Sequence, residues 1–151
     1  MAATGSRRAA RERALGMCYE LEVRDLSVDD LLAQQPAPPD EYAVHLVRGV
    51  EAHSVDVDAL LRKFSEHWAL ERMPSVDRAV LRVGAFELGW EPEMPTAVVI
   101  SEAVELAKQY STKDSGRFVN GLLSRIADEV RPGDGRADPS AGSPTGSPAG
   151  S

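Results

Sequence analysis

Two clusters of residues in this chain have the types and spacing for chemistry, and in both it is the chemistry of binding. The first is Arg7, Arg8 and Arg11. At about 100° per residue these three fall within roughly a third of a helix circumference, with Tyr19 on the same strip about two turns further on. Arg13 points elsewhere. Guanidiniums engage phosphates bidentately, and a tyrosine ring stacks on an unpaired base. The same strip also reads as a solvated arginine face with a partly buried Tyr19. The second cluster lies in residues 111–123, Ser-Thr-Lys-Asp-Ser-Gly-Arg-Phe-Val-Asn-Gly-Leu-Leu. Here Asp114, Arg117, Gly121 and Arg125 take the polar side of a helix, and Phe118 sits at its border with the apolar stripe. An aromatic at that border is either half-buried packing or a stacking platform. Gly121 costs a helix about 1 kcal/mol relative to Ala, so it marks a close approach of another helix or of a ligand.

No catalytic constellation competes with these clusters. His45, His53 and His67 are scattered, and the first two stand eight apart without a cysteine nearby, which argues against a metal site. There is no phosphate-cradling glycine loop, nucleophile elbow or dinucleotide fingerprint. No cofactor and no enzyme activity are expected. The single cysteine, Cys18, excludes an internal disulfide and falls on an apolar face as a small hydrophobe. No apolar window is long enough to span a membrane, and no secretory signal opens the chain. A soluble cytoplasmic protein is expected.

The formal charge is −7 over 151 residues, unevenly spread. Residues 1–13 hold four arginines against one glutamate, a local +3, whereas residues 14–130 hold 11 basic and 21 acidic groups, a local −10. Such a distribution excludes a long polybasic groove but allows one focal phosphate site on an acidic body.

The elements that must position these residues are helices. A first helix is predicted from about Arg7 to Val23, with Ala10, Ala14, Met17, Cys18 and Leu21 on one face. Ser27-x-x-Asp30 announces a short second helix, and the prolines at 36, 38 and 39 form a loop. Asp40 caps a third helix reaching about His53, and Ser54 begins a fourth ending near Trp68. Three more follow over about Val76–Trp90, Thr96–Tyr110 and Asp114–Val130, the last opened by Ser111-x-x-Asp114. The middle of the Val76–Trp90 helix is apolar most of the way round and is expected at the centre of the core. Residues 132–151 are Pro-, Gly- and Ser-rich and read as a disordered tail.

Four stretches carry a family resemblance. They are Arg7-Arg-Ala-Ala-Arg-Glu-Arg-Ala-Leu, Val76-Asp-Arg-Ala-Val-Leu-Arg-Val, Pro95 with Ala97-Val-Val-Ile-Ser-Glu-Ala-Val-Glu-Leu-Ala-Lys, and Asp114-Ser-Gly-Arg-Phe-Val-Asn-Gly-Leu-Leu. Together they resemble the bacterial NusB family of transcription factors over about residues 7–131, strongly in the second half and weakly between 24 and 72. The resemblance implies an all-α fold of about seven helices in two packed subdomains, a first bundle at about 7–68 and a second at about 75–131. It implies transcription antitermination, with single-stranded boxA RNA of nascent ribosomal transcripts and the ribosomal protein NusE as partners and RNA polymerase engaged indirectly. By position it places RNA contacts on Arg7, Arg8, Arg11, Tyr19, Asp114, Arg117 and Phe118, and NusE contacts on Asp77, with Arg78 and Arg82 beside it. Ala9 replaces a residue that is often basic in the family, which implies lower RNA affinity. The alternatives are a protein-binding adaptor with little RNA affinity, the RNA-recognition domain of an rRNA cytosine methyltransferase, and a homodimer that covers the first helix. A composite site is expected, with the first and last helices packed side by side.

Overall fold

The computed structural model describes residues 3–66 and 68–133, with side chains from residue 7 onward. His67 and the expected tail beyond residue 133 lie outside the described residues. Seven α-helices are present among the described residues: α1 Ala3–Arg24, α2 Val28–Ala33, α3 Glu41–Ala52, α4 Ser54–Phe64, α5 Ser75–Trp90, α6 Thr96–Tyr110 and α7 Lys113–Val130. A 3-10 turn, Leu70–Arg72, lies between α4 and α5.

Side-chain caps fix the starts of α2, α3 and α7. The Ser27 side chain accepts from the Asp30 amide at the start of α2, and the Asp40 carboxylate accepts from the Tyr42 amide at the start of α3. Three boundaries differ from expectation, the first being the start of α1 at Ala3 rather than about Arg7. Helix α4 stops at Phe64 rather than near Trp68, because Glu66 takes a left-handed φ of 55° that a helix cannot continue through. Helix α7 is capped by Thr112, one residue after Ser111, and its side chain accepts from the Ser115 amide at 3.0 Å.

Helix α5 is the axis of the molecule. Every residue from Asp77 to Leu88 except Arg82 is buried, as its apolar pattern requires. It packs against α1, α3, α4, α6 and α7. A Cβ added at Gly84 would lie 2.7 Å from Leu123 Cδ1, so glycine there lets α7 close onto α5. The pairs Arg11–Glu87 and Arg78–Glu22 run α1 antiparallel to α5. The core is one continuous cluster that includes Met17, Leu46, Leu81, Phe86, Leu122 and Ile126. Cys18 packs half-buried against it, and burial pushes its thiol up to about 12.

Helices α1 and α7 are not a packed pair. The main neighbours of α1 are α3 and α5, whereas those of α7 are α6 and α5. Helix α6 touches both: Glu102 and Tyr110 hydrogen-bond Arg8 and Glu12 of α1, and Lys108 packs against Gly116 of α7. The side-by-side arrangement expected from the sequence is therefore not observed: α5 packs on both helices, and α6 reaches α1 through side chains.

Candidate nucleic-acid interface

The three arginines of the α1 strip meet three different environments. Arg11 is 3 % exposed, with Nε and Nη2 donating to the two carboxylate oxygens of Glu87 at 2.9 and 3.0 Å. Burial alone would weaken the charge on Arg11, but Glu87 outweighs it and holds the guanidinium firmly protonated. In this conformation Arg11 presents no edge to a phosphate. Arg8 reaches solvent and binds Glu102 side-on, from Nε at 2.9 Å and Nη2 at 2.7 Å. The Arg8 side chain is 57 % exposed and that of Glu102 is 9 % exposed. The carboxylate thus supports the guanidinium from beneath, and the hydrogen bonds from Arg8 hold Glu102 below the usual carboxylate range. Arg7 is half-buried, its guanidinium carbon 3.8 Å from the ring centroid of Tyr42 on α3. Arg13, off the strip, bonds Gln35. Tyr19 is exposed, roughly 17 Å from Arg8 along the helix at 1.5 Å per residue.

At the start of α7 the Ser115 hydroxyl donates to Asp77 Oδ2 at 2.7 Å and lies 3.0 Å from the hydroxyls of both Ser111 and Thr112. Helix α5 thereby fixes the first turn of α7. Beyond it Asp114 and Arg117 stand almost fully in solvent as an i, i+3 pair at 3.2 Å. Phe118 is half-buried and meets Trp68 edge-to-face, centroids 4.9 Å apart, on the α4 side of the helix. The opposite side of α7 borders an open groove of about 670 Å³ against α6, with Lys108, Lys113 and Arg117 among its lining. The close approach of α6 and α7 falls at Gly116, where a Cβ would stand 2.7 Å from Lys108 Cγ. At Gly121 the nearest atom to an added Cβ is Arg125 Nη1 at 3.8 Å, so helix packing does not account for that glycine.

The three residues expected to meet a protein partner are engaged within the fold. Asp77 is fully buried, and its second carboxylate oxygen has no hydrogen-bond partner among the described residues. Arg78 is buried and donates to the carbonyls of Leu70 and Met73 and to Glu22. Arg82 is a quarter exposed and binds both oxygens of Asp58, at 2.9 and 3.0 Å. Of the three, Arg82 has the most surface.

Sequence reasoning overlooked Tyr42, Glu87, Glu102 and Trp68. A signal existed for the two glutamates, since each interrupts an otherwise apolar helix face and a buried carboxylate needs a cationic partner. Their partners, however, lie 76 and 94 residues away. Among the described residues no group of three or more His, Cys, Asp or Glu is arranged to hold a metal ion. No helix there is long and apolar enough to cross a membrane.

These features define a class: an all-α protein whose helices pack around one central helix, with four arginines gathered toward the N-terminal end of α1. Comparison with known proteins narrows the class. Residues 8–128 match the NusB family. The chain is 50 % identical over 129 residues to the transcription antitermination protein NusB of Saccharopolyspora erythraea, covering 82 % of this chain and 87 % of that one. It is 45 % identical over 127 residues to the NusB protein of Kineococcus radiotolerans, with 82 % and 93 % covered. Among solved structures, T. maritima NusB superposes with a TM-score of 0.75 at 36 % identity, over 83 % of this chain and 93 % of that one. A second likeness is to a crystal structure of the antitermination factors NusB and NusE in complex with double-stranded RNA. There the TM-score is 0.72 at 27 % identity, with 85 % and 99 % covered. The chain belongs to the NusB family.

Proposed function

We propose that this protein is a cytoplasmic transcription antitermination factor that binds boxA RNA of nascent ribosomal transcripts together with NusE and so promotes processive elongation by RNA polymerase. The observation that carries this reading is the presentation of Arg7 and Arg8 at the N-terminal end of α1, each held by a contact to another helix. The working unit is the helical region to about residue 131. Arg7 and Arg8 contact phosphates, and Arg11 acts on them from within the fold. Tyr19 and the half-exposed Phe118 offer stacking surfaces, and Asp114 and Arg117 flank the second contact region. NusE meets the surface around Arg82, which Asp77 and Arg78 shape from below. The NusB–NusE complex similar to this chain holds double-stranded RNA. We read the stacking platforms as favouring a single strand, because only unpaired bases expose their faces to aromatic side chains.

The test is fluorescence anisotropy with labelled boxA RNA, single-stranded and as a duplex, with and without NusE. The single strand binds more tightly, NusE enhances binding, and Arg8→Ala weakens it about tenfold, the scale of one hydrogen bond to a charged group. The same substitution lowers the salt slope by about 0.7, one phosphate contact on a single strand. NusE binding without RNA retention supports the second reading, a protein-binding adaptor. That reading is favoured by one observation: Arg8 and Arg11 already hold carboxylates of their own chain.

A further inference from the structure

We propose that Tyr42, on α3, is a positioning residue of the RNA site: its ring holds Arg7 in the orientation that receives a phosphate. The inference rests on the reading that the α1 arginines contact RNA.

Of the three strip arginines, Arg7 alone has no carboxylate against it among the described residues; Arg8 and Arg11 are paired with Glu102 and Glu87. Its guanidinium is held instead by a ring, the carbon 3.8 Å from the Tyr42 centroid. Such a contact uses the flat face of the guanidinium and leaves its N–H rim for another partner. A long side chain gives up rotamer freedom when it binds, and one already settled on a surface gives up less. Arg7 is thus both uncompensated in charge and restrained in direction.

The platform is fixed from several sides. The Tyr42 amide donates to the Asp40 carboxylate at 2.8 Å, which seats the residue in the first turn of α3. The phenol donates to Glu87 Oε2 at 2.5 Å, and the His45 ring stacks at 5.8 Å and 24°. Burial and the neighbouring Glu87 push the phenol's pKa upward, so the donor keeps its proton. Glu87 in turn is clamped by Arg11 through both oxygens. The contacts form a chain from Arg11 through Glu87 and Tyr42 to Arg7, linking α1, α5 and α3 and returning to α1. This chain gives the buried Arg11 its place in the strip: it secures the carboxylate that anchors the ring beneath Arg7.

The experiment is a double-mutant cycle on the full chain, read by anisotropy with a labelled single-stranded RNA at two salt concentrations, with thermal melts to verify folding. Tyr42→Leu weakens RNA binding about two- to fivefold, the range of a cation–π contact, at an unchanged salt slope, because the charge on Arg7 remains. Tyr42→Phe, which keeps the ring, stays closer to the parent protein. In an Arg7→Ala background Tyr42→Leu changes nothing further. If Tyr42→Leu does not fold, Arg7→Lys takes its place: it keeps the charge and loses the flat stack, and the same loss at constant slope is expected. Parent-like affinity in Tyr42→Leu or Arg7→Lys overturns the proposal, as does an equal loss from Tyr42→Leu with and without Arg7. If Arg7→Ala and Arg8→Ala both leave binding intact, it is the RNA reading of α1 that fails, and the inference falls with it.

Discussion

Glu102 and Glu87 hold neighbouring arginines in similar side-on pairs, yet the two pairs have different consequences. The Arg8–Glu102 pair has one partner in solvent, so a phosphate competes with or shares Arg8, and Glu102 adds a negative charge beside it. Replacing Glu102 with Gln removes that charge while keeping a hydrogen-bonding group. RNA binding should tighten about threefold, within the range of a partly exposed ion pair, with a steeper salt dependence measured by titration. The Arg11–Glu87 pair is buried on both sides. Removing Arg11 leaves the Glu87 carboxylate in the core with the Tyr42 phenol but no countercharge, and breaking a buried pair in this way costs about 3–5 kcal/mol. Arg11→Ala should therefore shift the urea midpoint strongly and leave the salt slope of RNA binding unchanged. A strip drawn on a helical wheel cannot separate these cases, because Arg8 and Arg11 differ in what stands opposite them. That partner is set by α5 and α6, far away in sequence.

At the scale of elements, α7 shows how much the sequence reveals and where it stops. Its apolar stripe is legible: Val119, Leu122, Leu123 and Ile126 are all buried. Its start is legible to within one residue, since both Ser111 and Thr112 carry hydroxyls and only the backbone decides that Thr112 is the cap. Gly121 is where sequence reasoning is least informative, because a glycine announces room without saying for what. The close helix approach belongs instead to Gly116, five residues earlier. Since an added methyl at Gly121 meets only Arg125 Nη1 at 3.8 Å, Gly121→Ala should raise stability by about 1 kcal/mol. If RNA approaches the backbone there, the same variant loses RNA affinity, so an urea melt and a titration on one protein separate the two roles.

For the whole molecule, the helix inventory, the central position of α5 and the basic N-terminal end follow from periodicity and charge. The order of packing does not, because which helices are neighbours depends on long-range ion pairs and small-residue contacts that no local window contains. The separation of α1 from α7, which both pack on α5, is the clearest instance. The ionisable groups also bound the pH range of the fold. Glu102 is depressed in the folded state by Arg8, so its contribution is present above the ordinary glutamate pKa and is lost as acid takes the pH below it. Tyr42 is raised by burial and Glu87, so its contribution is full below the ordinary tyrosine pKa and is lost as the pH climbs above it. Melting temperature against pH should fall at both ends. Tyr42→Phe should make the alkaline fall shallower without abolishing it, because the Cys18 thiol is raised by burial as well, while leaving the acid limb unchanged.

One residue at the far end of α7 ties together stretches of chain made at different times. Arg131 donates to the carbonyls of Glu87, Leu88, Glu91 and Met94 and to the Thr96 hydroxyl, at 2.6 to 3.1 Å. It closes the C-terminal end of α5 and the turn into α6, a region made some forty residues earlier in synthesis. The Glu87 and Glu91 carbonyls also accept from the Glu91 and Met94 amides, so during translation it is the Leu88 and Met94 carbonyls that gain this partner only when Arg131 emerges. Glu87, the carboxylate behind the Arg7 platform, sits at that end of α5. The arginine strip is among the first parts of the chain to be synthesised, whereas the carboxylates that pair with Arg11 and Arg8 are made 76 and 94 residues later.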